Sequence, residues 1–313
     1  MTHAVFMGSP EFALPSLKAL AAYPGVSLAG VVTQPDRPVG RNRVPQPSPV
    51  KQLALEMGLP VLTPASAREP ELIESLRGWG VELAVVCAYG QILPESLLSL
   101  PRLGCFNLHF SLLPRWRGAS PVQAAILAGD TRTGVSLQYM VKQLDAGDIV
   151  KDTGPLEISP SETAGSLLER LAGESGTLLE KAMPDLLSGH PPRTPQDPGQ
   201  VTFCRIISKS QGAADFSNED AEHIERKSRA YHPWPGCYAF LEGRRLGLIR
   251  MEICGQIPGT APGVLNRDGT VNCATGAVRL LEVRPEGRQA MNVASFLNGH
   301  PQATGKPLLP TPS

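Results

Sequence analysis

Several features common in other protein classes are missing from this chain of 313 residues. The six cysteines (Cys87, Cys105, Cys204, Cys237, Cys254 and Cys273) include no C-x-x-C pair, which argues against a zinc knuckle or a redox dithiol. Cys87 and Cys105 sit inside apolar runs and read as reduced thiols packed as small hydrophobes. Asp, Glu and Pro break every apolar stretch well short of the roughly 18 residues a membrane helix needs, and no leader-like segment opens the chain. A cytoplasmic protein with no membrane partner is expected. Net charge is also lacking: 29 basic residues balance 29 acidic ones. That excludes a uniformly basic nucleic-acid binder but leaves room for a local basic patch. Aromatics are few, at 5%. Glycine and proline are plentiful, 31 of each, but follow no period, so collagen-like and repeat folds drop out. Finally, the first apolar run ends in Gly8-Ser9-Pro10 rather than G-x-G-x-x-G, and no Walker loop is present. Both absences count against a nicotinamide or nucleotide enzyme.

What is present alternates. Ala4–Met7, Val26–Thr33, Glu82–Ala88, Gly104–Phe110 and Thr133–Met140 read as strands. Between them lie helical patterns: Phe12–Ala21 behind Ser9-Pro10 as N-cap and N1, Pro47–Met57, and Ser120–Leu127. Ser161–Leu187 reads as a long helix broken near Gly173–Gly176. Strand–helix alternation predicts a doubly wound, mostly parallel α/β sheet, with ligands beyond the carboxyl ends of its strands. The composition then shifts at His190–Gln200, where four prolines fall in ten residues. The expected organisation is a catalytic domain over 1–189, a linker over 190–208 and a smaller domain over 209–313. Within the smaller domain a single helix, Asn218–Tyr231, precedes short strands at Tyr238–Leu241, Leu246–Cys254, Gly263–Leu265, Thr270–Cys273 and Ala277–Pro285, a pattern that suggests a small β-barrel. Pro301–Ser313 reads as a loose tail.

Three stretches concentrate polar chemistry. Asn107, His109 and Ser111 alternate with apolar residues, so a strand would put them on one face. An amide donor beside an imidazole suits an oxygen that gains negative charge, although the spacing equally fits a hydrogen-bonded structural pair. Asp145, before a turn at Gly147, either supports a protonated imidazole or makes an Asx-type turn. Thr33–Lys51 carries Arg37, Arg41, Arg43 and Lys51 against one acid, Asp36. Strand-to-helix loops normally run 2–6 residues. This insertion reads either as a phosphate-contacting arm or as a solvated loop.

Taken together, Asn107-Leu108-His109-Phe110-Ser111-Leu112-Leu113-Pro114-Arg115-Trp116-Arg117-Gly118 and Leu144–Ile149 resemble the two signature motifs of the folate-dependent formyltransferases. Thr33–Arg41, Pro47–Lys51, Ala88–Pro94 and Pro233–Gly236 are similar to the branch of that family acting on methionyl-tRNA. The resemblance implies a C-terminal oligonucleotide-binding-like barrel, 10-formyltetrahydrofolate as formyl donor, initiator methionyl-tRNA as acceptor, a role in translation initiation, a monomer and no metal. By position it implies Asn107, His109 and Asp145 as the catalytic trio and Ser111, Leu112, Leu113 and Pro114 as the folate loop. Arg37, Arg41, Arg43 and Lys209 are implied as tRNA contacts. Two residues depart from the family pattern: Phe110, bulkier than usual between His and Ser, and Ile206, where a lysine is common. Transfer onto a purine-pathway amine or a sugar-nucleotide amine would use the same trio, and a non-catalytic folate- or tRNA-binding derivative of the fold would keep the same sheet.

Overall fold

Five strands pair side by side in one direction, four of them apolar runs expected from the sequence and one, Val61–Leu62, not foreseen there. They are β1 (Thr2–Gly8), β2 (Val26–Val32), β3 (Val61–Leu62), β4 (Leu83–Cys87) and β5 (Cys105–His109). In the computed structural model, which describes residues 1–39 and 44–312, they are ordered β3-β2-β1-β4-β5. Two further strands, β6 (Ser136–Tyr139) and β7 (Ile149–Asp152), extend the β5 edge in antiparallel sense. Helices α1 (Leu14–Ala22), α2 (Pro49–Glu56), α3 (Pro70–Gly78) and α4 (Glu95–Leu98) lie in the connections. Of these, α3 and α4 are not foreseen from the sequence.

Both faces of the sheet are covered, which is why its strands are apolar throughout rather than alternating. Val5 and Met7 of β1 share a buried cluster with Leu72 and Leu76 of α3 and Leu97 of α4. Ala4 and Phe6, equally inaccessible, point the other way. The order reverses at β1, which lies between β2 and β4, with Gly8 opposite Cys87. A side chain at Gly8 would meet the Cys87 carbonyl at 2.7 Å. Ser9 does not cap a helix as expected. Its hydroxyl instead accepts from Gln34 N–H and Thr33 Oγ1–H and donates to the Tyr89 carbonyl.

After α5 (Pro121–Ala128), helix α6 runs unbroken from Ala164 to Ser188, through the glycines expected to interrupt it. Of the small residues there, Gly176 and Ser175 serve packing, whereas a Cβ on Gly173 would meet nothing within 4 Å. A Cβ on Gly176 would sit 3.1 Å from the Pro15 carbonyl, and Ser175 and Ser16 share a 2.7 Å hydrogen bond in the interior.

By contacts the chain forms two units, one of residues 1–121, 132–156 and 168–204, the other of 122–131, 157–167 and 205–313. The stretch read as a linker is therefore divided, with 190–204 packed in the first unit. Around it, Ile149 and Thr194 exchange backbone hydrogen bonds, and Phe203–Cys204 pairs with Arg117–Gly118.

In the second unit, α7 (Ala221–Ala230) is capped by Asp220, whose side chain accepts from His223 N–H. Antiparallel strands follow: β8 (Tyr238–Leu241), β9 (Arg244–Cys254), β10 (Thr270–Asn272), β11 (Ala277–Pro285), β12 (Met291–Asn292) and β13 (Leu308–Leu309). Their order is β10-β11-β9-β8-β13, with β12 beside β11. The ring closes because Val264 bridges Pro307 next to β13 while Leu265 bridges Val271 of β10. Leu246, Leu248, Val271, Val278, Leu280 and Val283 fill the interior. Helix α8 (Val293–Gly299), unforeseen in the sequence, is capped by Asn292. The expected loose tail instead supplies β13, and Leu308 is buried.

Candidate active site

β5 carries two of the expected residues. Its alternation puts Asn107 and His109 on one face, while Leu108 points to the other. Ser111 does not extend that face. The strand ends at His109, and the buried Ser111 donates to the Arg115 carbonyl at 2.6 Å. Ser136 Oγ donates to the Ser111 carbonyl (2.8 Å) and accepts from Leu113 N–H (3.0 Å), so it fixes the loop that contains Leu112, Leu113 and a cis Pro114. Phe110 is accommodated in the interior, its ring 5.4 Å from that of Phe12. Asn107 is half-buried, and among the described residues its amide has no hydrogen-bond partner.

His109 is only 6% exposed and is held at both nitrogens. Nε2 lies 2.9 Å from the Trp116 carbonyl, which can only accept, so that nitrogen carries a proton. Nδ1 faces Asp145 Oδ2 at 3.7 Å, beyond a hydrogen bond but inside ion-pair range once the ring is protonated.

Asp145 occupies the turn between β6 and β7 in the left-handed region, φ +49°. A non-glycine residue there costs on the order of 1–2 kcal/mol and persists only where its surroundings over-determine it. Those surroundings are dense. Gly118 N–H donates to Oδ2 at 2.8 Å and Gln138 Nε2 donates to Oδ1 at 3.1 Å. Gln196 Nε2 reaches the Asp145 and Gly147 carbonyls at 2.9 and 2.7 Å. Gly147 is required because a Cβ would lie 1.8 Å from the Tyr139 carbonyl. Asp148, one residue beyond that glycine, is ion-paired with Arg193 at 3.5 Å.

The end of the signature motif is held from 202–204. Trp116, also left-handed at φ +60°, donates its N–H to Thr202 Oγ1 at 2.8 Å, and Arg117 N–H donates to the Thr202 carbonyl. Gly118 (φ +122°) must lack a side chain, since a Cβ would approach the Cys204 carbonyl to 2.1 Å. The Cys204 thiol donates toward the Trp116 and Arg117 carbonyls, and burial together with the nearby Asp145 charge raises its pKa above the ordinary thiol value. Gln138, Gln196 and Thr202 are not picked out by the sequence. Gln138 lies directly opposite Asn107 in the β5–β6 ladder, a register that only the structure gives.

Other expected residues are placed as follows. Arg37 lies in a two-stranded ribbon, Arg37–Val39 against Val44–Gln46, and donates to Gln34 Oε1 at 2.9 Å. Arg41 and Arg43 fall outside the described residues. Lys51 Nζ pairs with Asp36 at 2.7 Å, which anchors the ribbon's foot. In the second unit, Lys209 is exposed at the start of a short 3-10 turn, and Ile206 is exposed. A cavity of about 250 Å³ opens at the opposite end of β5, against Arg102, Gly104, Cys105, Tyr139 and Arg193. Both arginines at that cavity are ion-paired, Arg102 with Glu82 and Arg193 with Asp148, whereas the Asn107 amide at the carboxyl end has no such commitment among the described residues. No metal-holding group of His, Cys, Asp or Glu occurs among the described residues, and no helix there is long and apolar enough to cross a membrane.

Residues 1–183 match the formyl transferase family and 206–301 match the formyl transferase C-terminal domain. A methionyl-tRNA formyltransferase of Methylococcus capsulatus is 45% identical over 95% of this chain and 96% of its own length. A second, from Myxococcus xanthus, is 44% identical over 96% of each chain. Among solved structures, an N-formyltransferase of Helicobacter canadensis in complex with folinic acid and dTDP-3-aminofucose superposes with a TM-score of 0.68 at 16% identity. It covers 93% of this chain and 100% of that one. HypX of Aquifex aeolicus in complex with tetrahydrofolic acid gives 0.58 at 15% identity, over 94% of this chain and 46% of that one.

Proposed function

The chain belongs to the methionyl-tRNA formyltransferases of the formyl transferase family, and from that premise we propose that it moves a formyl group from 10-formyltetrahydrofolate to the α-amine of initiator methionyl-tRNA. The observation that carries the reading is the uncommitted Asn107 amide on the same strand face as a histidine braced by a carboxylate.

The nucleophile belongs to the acceptor. As the amine nitrogen bonds to the formyl carbon, the carbonyl oxygen becomes an oxyanion, and the Asn107 amide donates to it. One such donor is worth about 3–4 kcal/mol in a transition state. The imidazolium of His109, braced between the Trp116 carbonyl and Asp145, adds positive charge beside the oxyanion. Asp145 accepts the proton shed by the amine, by way of a water molecule, and a proton returns to the departing nitrogen as its bond to carbon breaks. No step needs an enzyme nucleophile or a metal.

Ser111–Pro114 form the donor-side loop in this reading. Arg37, Arg41, Arg43 and Lys209 meet tRNA phosphates. Arg41→Ala should weaken use of tRNA while leaving folate-analogue binding alone, and the loss should shrink as salt rises because each released counterion gains less entropy in a saltier solution. Unchanged tRNA kinetics at low salt would make the arm a solvated loop. The reading as a whole is tested with the purified protein, 10-formyltetrahydrofolate and charged initiator tRNA. Formyl-methionine should appear, and a purine-pathway amine or an amino-sugar nucleotide offered instead should remain unformylated. The reverse preference would overturn it.

A further inference from the structure

The main-chain carbonyl of Asp145 accepts a hydrogen bond from a side chain 51 positions away. We propose that Gln196 is a positioning residue for the reaction, locked in one orientation by Arg117 and aided by Gln138. The proposal rests on the reading of Asn107, His109 and Asp145 given above.

The polarity of the network leaves one arrangement. Arg117 is buried, and its guanidinium only donates. Its Nε and Nη2 lie 3.0 and 2.7 Å from Gln196 Oε1, so that end of the amide must be the oxygen. The nitrogen end then faces acceptors alone: the Gly147 carbonyl (2.7 Å), the Asp145 carbonyl (2.9 Å) and Gln138 Oε1 (3.3 Å). Two hydrogens serve three acceptors, and the two main-chain carbonyls take the shorter bonds. A carboxylate oxygen accepts, so the nitrogen of Gln138 is the end that meets Asp145 Oδ1 at 3.1 Å, which leaves its oxygen toward Gln196. The buried cation thus orients Gln196 and the carboxylate orients Gln138, and between them the two amides grip Asp145 by main chain and by side chain. The turn they grip is the one held in the left-handed region. Displacing a reacting group by about 1 Å is enough to cost on the order of 10²-fold in rate.

Gln196→Glu separates the grip from the architecture. It retains an acceptor for Arg117, now as an ion pair, but offers two carbonyl oxygens no donor. The expected result is a folded protein with an unaltered circular-dichroism spectrum, kcat lowered about 10-fold or more and donor KM within about threefold of the parent. Combined with Asp145→Asn, it should cost little beyond Asp145→Asn alone, because the group it positions is already disabled. Gln138→Met, similar in bulk, should lower kcat by a smaller factor and decides the matter if Gln196→Glu fails to fold. The proposal is overturned by near-parental kcat in a folded Gln196→Glu protein, by a loss confined to donor KM, or by full additivity with Asp145→Asn. Where Gln196→Glu does not fold, unchanged kcat in Gln138→Met overturns it. Asn107→Ala and Asp145→Asn run alongside. If they too retain turnover, the catalytic reading has failed; if they alone lose it, only the role of Gln196 has.

Discussion

Two residues share almost the same backbone conformation and nothing else. Asp145 in the first unit has φ +49° and Glu242 in the second has φ +48°. Glu242 and Gly243 form the two-residue turn that joins Leu241 to Arg244, a place where both central residues need positive φ for the strands to twist together. Its conformation is explained by local geometry. Asp145 lies in the longer loop between β6 and β7, where no two-residue turn demands positive φ. It is held by hydrogen bonds from Gly118, Gln138 and Gln196, which come from three separate stretches of chain. The other left-handed non-glycine residues described, Ala88 and Trp116, also lie at the site end of the first unit, one just past β4 and the other on the loop whose carbonyl meets His109. Strain that a turn accounts for marks architecture; strain held in place by distant residues marks the region where chemistry is proposed.

The comparison can be broken most sharply by making one substitution at both positions. Asparagine tolerates the left-handed region. Asp145→Asn should therefore leave the fold intact and lower turnover by on the order of 10²-fold, as should Asn107→Ala and His109→Ala, with double variants less than additive. Turnover near the parental value in a folded His109→Ala protein would remove the basis for the proposed mechanism.

The next contrast uses two glycines that press on carbonyls. A Cβ at Gly147 would lie 1.8 Å from the Tyr139 carbonyl, and one at Gly212 would lie 2.1 Å from the Gly236 carbonyl. Both alanine variants should lose several degrees of thermal midpoint, since backbone must move in each. The fraction that stays folded should differ. Gly147→Ala should turn over at least 10-fold more slowly per folded molecule because it shifts the Asp145 turn, while the chemical step of Gly212→Ala should match the parent. Equal specific activity in single-turnover measurements would dissolve the distinction.

Glu242→Asn should do the opposite of Asp145→Asn. It relieves the turn at the expense of an exposed 3.5 Å ion pair with Lys306, worth little in solvent. A rise in midpoint of about 1–3 °C with unchanged turnover is expected.

The smallest effect is one of pH. Hydrogen bonds from Thr270, first from its side chain and then from its N–H, hold the Asp268 carboxyl below its ordinary range. A group whose folded pKa is depressed adds stability above its unfolded value, near 4, and loses it as pH falls through the folded value. Asp268→Asn keeps acceptors for Thr270 but loses the charge. Its midpoint should trail the parent slightly at pH 6, and the gap should close below about pH 4. A gap that widens in acid would reverse the assignment.

Much of the fold is legible in the sequence because it is local. Ala4–Met7 and Glu82–Ala88 announce strands buried on both faces, and the alternation around Asn107 and His109 puts both on one face. What stays hidden depends on contacts between distant residues. Gln196 meets Asp145 through carbonyl oxygens, which every residue has, so no residue type flags the partnership. Gly173–Gly176 resembles a helix break because glycine lowers helical propensity, but the close pass of Pro15 calls for a small residue at Gly176. The closing residues read as loose because Pro301–Ser313 lacks a period, yet two of them, Leu308 and Leu309, complete a ring whose other strands lie elsewhere in the sequence.

The stretch from Thr194 to Cys204 has a practical consequence for anyone recombining relatives of this protein. Its prolines invite a crossover at 189/190, but a chimaera spliced there would draw Gln196, Thr202 and Cys204 from one parent and Arg117, Gln138 and Asp145 from the other. Wherever the parents differ at these positions, such hybrids would mix the two sides of the proposed site. Moving the seam past Cys204 keeps that set in one lineage, so a library of paired hybrids differing only in the crossover should show which stretch of chain is exchanged as a piece.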